Sequence, residues 1–281
     1  MPMLERAGQP ALHYHLDDFT DPWRNAPYLI LQHGYGRSSQ FWYQWVPYLS
    51  RFYRVVRPDL RGLGQSGMPA HLDTDITPAH YISDLLAIID ALGGAPVHYC
   101  GESLGGILGM VLAAEHPDKL RTLNLVAAPV IINEDTQKAF AFGHPTWQDA
   151  LRTMGSRAWA DAANAATRFP GGTDPGLLAW YADEMGKSSV DVLIRMSRIA
   201  SVVDARPYLH RITTPTLGLY PRHAPVTIQA QEQTLREGIK HLKIVHVPSR
   251  HHTIQNSLPA TLARQVLYFA SQHDGASCDE A

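Results

Sequence analysis

The residues best suited to chemistry lie in Gly101-Glu102-Ser103-Leu104-Gly105-Gly106. A serine hydroxyl attacks a carbonyl carbon when a base takes its proton and hydrogen-bond donors receive the oxyanion. The hexapeptide starts where the apolar run Val97-His98-Tyr99-Cys100 ends. It opens a stretch rich in Gly, Ala, Leu and Met that runs from Leu104 to Glu115 and is closed by His116-Pro117. Strand, sharp turn and helix in that order are what a Gly-x-Ser-x-Gly turn needs to present a nucleophile. The flanking glycines have a steric reason: the turn strains the backbone at Ser103 and leaves no room for side chains on its neighbours. A Gly-rich connection without chemistry is the alternative, and the strand–helix context argues against it.

Donors are expected from His33-Gly34-Tyr35-Gly36, directly after the apolar run Tyr28-Leu29-Ile30-Leu31. There the N–H of Tyr35 can aim at the same point as the N–H of Leu104, where the helix N-terminus adds partial positive charge. The chain order serine, acid, histidine directs the search for a base to the C-terminal end. The run Ile244 to Val247 is followed by Pro248-Ser249-Arg250-His251-His252-Thr253, and then by a helical stretch from about 258 to 270. Two adjacent histidines compete as base, and His252 is favoured. Gly34, Glu102 and Trp42 are the candidates for shaping a substrate pocket. Glu102 is equally well read as a buried, hydrogen-bonded carboxylate. Trp42 belongs to the cluster Phe41, Trp42, Tyr43 and Trp45, in which Trp45 suits core packing at least as well.

These side chains need a frame. Short apolar runs at 28–31, 53–56, 97–100, 123–126, 216–220 and 243–247 alternate with longer segments of helical period, such as Tyr81, Leu85, Ile89 and Leu92 before Gly93-Gly94. Near-continuous apolar runs are strands covered on both faces, so the pattern predicts an α/β fold with a mostly parallel central sheet flanked by helices. Ala11 to Asp17 alternates weakly and reads as part of an antiparallel edge hairpin. The rhythm breaks from about 131 to 209, where helical patterns surround Phe169-Pro170-Gly171-Gly172 and no strand is evident. That segment is expected to lie over the ligand crevice as a lid.

With these motifs in place, the chain resembles the α/β-hydrolase fold superfamily, in the subgroup with a helical cap between two sheet strands. HGYG, RPDLRGLGQSG (Arg57 to Gly67), GESLGG and PSRHH fall in the family's order from about residue 27 to 270. The cap and the region around 216–220 are similar to 3-oxoadipate enol-lactonase and related small-ester hydrolases. The resemblance implies core segments at 1–130 and 210–275, a cap at 131–209 and a flexible tail at 276–281. It also implies that His252 is the base, because Pro259 follows it at the family's spacing. The family's acid would fall at Ala224, which is no acid; Glu134 and Asp135 are the nearest substitutes. Three readings stay open: an acid from an unusual position, a Ser–His dyad, or a pocket that binds without catalysis. The leading function is hydrolysis of a small carboxylic ester or lactone, with C–C bond hydrolysis of a ring-fission diketone as an alternative.

Composition bounds the rest. The 281 residues carry 24 Lys+Arg against 26 Asp+Glu, a formal charge of −2, with 45% hydrophobic and 18% charged residues. Disorder is excluded, and no basic excess points to nucleic acid or an anionic membrane. No apolar run approaches a membrane span, and the N-terminus lacks the pattern of a signal peptide. Cys100 and Cys278 suit a reduced cytoplasmic protein without disulfides. The 15 histidines include no HExxH or comparable ligand spacing, so neither a metal nor another cofactor is expected. Gly62 to Gly67 matches a dinucleotide fingerprint only in outline, and His13 and His15 are expected on a solvated edge-strand face. A small-molecule substrate is the expected partner, and a homo-oligomer is allowed.

Overall fold

The structure, a computed structural model, describes residues 2–223 and 225–274. Among these, eight strands form one sheet: β1 (Met3–Arg6), β2 (Gln9–Asp17), β3 (Tyr28–Gln32), β4 (Arg54–Pro58), β5 (Val97–Glu102), β6 (Leu120–Val126), β7 (Thr216–Pro221) and β8 (Leu242–Val247). Their order is β1-β2-β4-β3-β5-β6-β7-β8. β1 and β2 form the expected antiparallel hairpin and β2 meets β4 antiparallel, while every pair from β4 to β8 is parallel. β3 and β5 are central neighbours, with Gln32 opposite Gly101. The loops that leave their C-terminal ends, HGYG and GESLGG, therefore emerge side by side.

Side chains that alternate along each strand feed two cores. Leu29 and Leu31 of β3 and Val55 of β4 pack with Trp45, Leu49, Leu262 and Phe269 on one face. Ile30 and Val56 pack on the other with Tyr99, Leu108 and Val111. Burial on both faces is why these strands read as continuous apolar runs. The helix Leu104–Glu115 is buried along nearly its whole length, and its glycines let it lie close to β5 and β6.

Between β6 and β7 the chain forms helices at Glu134–Phe140, Trp147–Ala163, Pro175–Gly186 and Val190–Ala200, with a π-turn at Asn164–Arg168. The only pairing in this insertion, among the described residues, is an isolated bridge between Ile131 and Asp204. Thr77, Asn133, Thr146 and Asp174 cap helix N-termini with side-chain oxygens, which accounts for where those helices begin. The last helix runs from Pro259 to Asp274, short of the tail expected at 276–281. Asp274 Oδ2 lies 2.9 Å from Nε2 of His98 on β5. The tail at 276–281, Cys278 and Ala224 lie outside the described residues.

Candidate active site

Ser103 sits between β5 and its helix with φ 54° and ψ −120°, a left-handed backbone rare for any residue with a Cβ. The turn is held by Ser103 N–H donating to Val126 O at 3.1 Å, and by Ser103 O accepting from the N–H groups of Gly106 and Ile107. A Cβ at Gly105 would stand 2.6 Å from the carbonyl oxygens of both Gln32 and His33. Glycine there lets the helix N-terminus close on the loop after β3.

That loop is set by a buried histidine. His33 donates from Nδ1 to Gly34 O (2.9 Å) and accepts at Nε2 from Leu60 N–H (3.1 Å), which requires the neutral ring. Burial lowers its pKa to about 4. Tyr35 anchors its hydroxyl on Leu193 O at 2.8 Å. The backbone N–H groups of Tyr35 and Leu104 make no hydrogen bond among the described residues, so both are available to a ligand oxygen. In the segment that follows, Asp59 takes the N–H groups of Ser39 and Gln65 and the ring of His13. The glycine-rich run 62–67 thus spends the Gln65 amide on the Asp59 carboxylate. His13, expected on a solvated face, is buried because Asp59 reaches it, at 2.7 Å from Nδ1.

His252 comes from the far end of the chain to place Nε2 3.1 Å from Ser103 Oγ. The neighbouring His251 is half-buried, its backbone N–H bonds Ser249 Oγ, and among the described residues its ring makes no hydrogen bond to Ser103. The His252 backbone is tied to the insertion, with its N–H on Thr167 O at 2.9 Å, while Thr253 Oγ1 donates to Arg168 O at 2.5 Å. Burial first, and then the cations of Arg37 and Arg168, hold the imidazole pKa well below its ordinary value. The ring is therefore neutral at neutral pH, the state a proton acceptor requires. Its Nδ1 has no hydrogen-bond partner among the described residues. Glu134 and Asp135 are exposed on the insertion, Glu134 beside Lys138, and neither reaches the imidazole.

Glu102 is buried and paired with Arg37, whose Nε also donates to the Tyr181 hydroxyl. The second carboxylate oxygen, Oε1, has no hydrogen bond and lies 3.5 Å from His252 Nε2. Burial pushes the Glu102 pKa up, against the pull of Arg37. Gly34 packs against Glu102, where a Cβ would meet Oε2 at 2.6 Å.

Over Ser103 and His252 lies a small cavity of about 20 Å³, walled by Tyr35, Leu104, Phe140, Trp147, Trp159 and Arg168 among others. That is room for about one water molecule. Trp42 is a correction: it does not line this cavity. It packs edge-on against Trp45, centroids 4.8 Å apart, in the core on the opposite face of the sheet. The aromatic walls come instead from Trp147 and Trp159, stacked at 5.8 Å and 18°. Sequence reasoning missed these two together with Arg37 and Arg168. Their only local signal is that two arginines and two tryptophans stand close to predicted loops and helices, which does not separate pocket from surface. Among the described residues no group of three or more His, Cys, Asp or Glu could hold a metal ion, and no helix is long and apolar enough to cross a membrane.

Comparison with known proteins agrees with this architecture. Residues 27–161 match the family model described as "alpha/beta hydrolase fold". A protein named as a carbamate hydrolase, RutD, from Pseudomonas savastanoi pv. phaseolicola is 27% identical over 265 residues, covering 87% of this chain and 94% of the relative. The 3-oxoadipate enol-lactonase 2 of Acinetobacter baylyi is 26% identical, covering 80% and 82%. The crystal structure of the enol-lactonase from Burkholderia xenovorans LB400 superposes with a TM-score of 0.84 at 26% identity, covering 96% of this chain and all of that one. Strand order, the serine turn after β5, the matched model and these neighbours agree on one architecture, the α/β-hydrolase fold.

Proposed function

We propose that the protein is a cofactor-independent serine hydrolase that opens a small carboxylic ester or lactone through an acyl-enzyme on Ser103. The observation that carries this reading is the 3.1 Å approach of His252 Nε2 to the hydroxyl of a serine with positive φ. His252 takes the Ser103 proton as Oγ attacks the carbonyl carbon, and the N–H groups of Tyr35 and Leu104 receive the oxyanion. The imidazolium then protonates the departing alkoxide. In the second half His252 deprotonates a water, which attacks the acyl carbon and frees Ser103. The helical insertion acts as a cap over the site. A cavity of about 20 Å³ does not hold an ester, so the cap or its aromatic side chains move to admit substrate.

The base works without a carboxylate on Nδ1, as a Ser–His dyad. Two features support it. The main chain of His252 is fixed by Thr167 O, which places the ring, and Glu102 Oε1 lies near Nε2, where positive charge develops. The relatives named as an enol-lactonase and a carbamate hydrolase suit transfer of a small acyl group to water. Ser103→Ala tests the reading: hydrolysis of short aryl esters falls by about 10⁴-fold or more, and a variant as fast as the parent overturns it. That Nδ1 has no partner among the described residues favours one second reading, a pocket that binds without turnover. Intact mass after exposure to a fluorophosphonate separates the two, because one adduct per chain at Ser103 requires an activated hydroxyl.

A further inference from the structure

We infer that Arg168 is an anion clamp and that the substrate is a small acyl compound bearing one carboxylate, gripped by the Arg168 guanidinium while Ser103 attacks its carbonyl. This rests on the hydrolase reading above and narrows its substrate class.

Four arginines are buried among the described residues: Arg37, Arg57, Arg61 and Arg168. Three of them face a carboxylate, Arg37 on Glu102, Arg57 on Asp17 and Arg61 on Asp84. Arg168, 3% exposed, has no carboxylate within ion-pair distance among the described residues. Its Nη1 donates only to Met185 Sδ at 3.0 Å and to Asn164 Oδ1 at 3.4 Å, and its Nε and Nη2 make no hydrogen bond among the described residues. The guanidinium lies over the rings of Trp159 and Tyr181, at 5.2 and 5.4 Å. Burial lowers its pKa to about 10, so it keeps its proton at neutral pH. An unpaired charge in an apolar site is costly unless a counter-charge joins it.

The site is built for that counter-charge. Arg168 walls the same cavity as Ser103 and His252. Arg37 and Glu102 cancel, which leaves one unmatched positive charge, and that suits a monoanion. The free Nε and Nη2 form the planar edge that takes both oxygens of a carboxylate. Arg168 ends the π-turn Asn164–Arg168, a helix distortion common at functional sites, and its carbonyl accepts from the N–H and hydroxyl of Thr253. Clamp and base are thus joined through adjacent residues. A carboxylate held by Arg168 would fix the carbonyl relative to His252 and would offset one of the cations that depress the imidazole pKa.

The test compares two esters of similar shape, 4-nitrophenyl hydrogen succinate, which carries one carboxylate, and the neutral 4-nitrophenyl 4-oxopentanoate. The wild-type enzyme is expected to favour the anionic ester in kcat/KM by about tenfold to a hundredfold, the range of a charge-assisted hydrogen-bonded pair. Arg168→Gln should bring the ratio near one, and Arg168→Lys should retain part of it. A wild-type ratio at or below one, or an unchanged ratio in Arg168→Gln, overturns the inference. Calorimetry with succinate on Ser103→Ala reads the clamp without turnover and without altering Arg168: binding is expected, and its absence overturns the clamp. If the neutral ester is cleaved with no anionic preference, the clamp fails while the hydrolase reading holds. If succinate binds and neither ester is cleaved, the hydrolase reading fails and the clamp stands.

Discussion

Replacing Ser103 by glycine should make the protein more stable than replacing it by alanine, and both should be inactive. Ser103 holds φ 54° and ψ −120°, a conformation that costs a residue with a Cβ about 1–3 kcal/mol. Alanine retains the Cβ and with it the strain, whereas glycine releases it. Against the release stands the greater freedom of glycine in the unfolded chain, about 0.4–1 kcal/mol. Both variants lose the same hydroxyl and leave His252 Nε2 without its 3.1 Å partner, so those effects cancel in the comparison. The net advantage of Ser103→Gly over Ser103→Ala is about 1 kcal/mol. With 281 residues and an unfolding entropy of about 2.1 cal/mol/K per residue, that is a Tm difference of about 2 °C. Urea midpoints and thermal scans of the two variants, run beside aryl-ester assays, make the measurement. A glycine variant that melts below the alanine variant would refute the reasoning, because it would mean that the turn stores no strain for the active site to use.

The remaining expectations concern proton transfer and packing. In the proposed mechanism His252 acts as the neutral ring, and burial with Arg37 and Arg168 holds its pKa below 6.5. The kcat/KM profile should therefore stay flat as pH falls through 6.5 and decline only at lower pH; an acid limb centred at or above 6.5 would point to a carboxylate on Nδ1. Gly105→Ala should cost about 1–3 kcal/mol by overpacking, with kcat reduced as well, since its Cβ meets the carbonyls of Gln32 and His33 at 2.6 Å beside both proposed oxyanion donors. Unchanged urea stability and rate would contradict that contact. Ala224→Asp introduces an acid where the family resemblance expects one. With Nδ1 unpartnered among the described residues, kcat should rise by about tenfold or more, a fraction of the roughly 10⁴ such an acid supplies in a serine protease. A severe loss in a folded variant would show that another group already orients the imidazole.

What could be read in advance follows from range. The alternation of both-face-buried strands with helices is a local pattern, so Leu29, Ile30, Val55 and Val56 announced a parallel sheet before their partners were known. Ser103 was legible because strand, glycine-flanked turn and small-residue helix are contiguous. The histidine was legible only through chain order and the resemblance, because 149 positions separate it from the serine. Nothing local distinguished Trp42, which turns into the core beneath the sheet, from Trp147 and Trp159, which wall the cavity: an aromatic side chain has the same character in either place. His13 shows the same limit, since an edge-strand histidine is solvated or buried according to whether a distant carboxylate, here Asp59, comes to meet it. The sequence alone determined a doubly covered sheet with a strained serine at the end of a central strand. Only the tertiary structure decided which cations are matched and which is not, because charge compensation depends on distances in space. It left Arg168, alone among the buried arginines of the described residues, facing the cavity without a carboxylate.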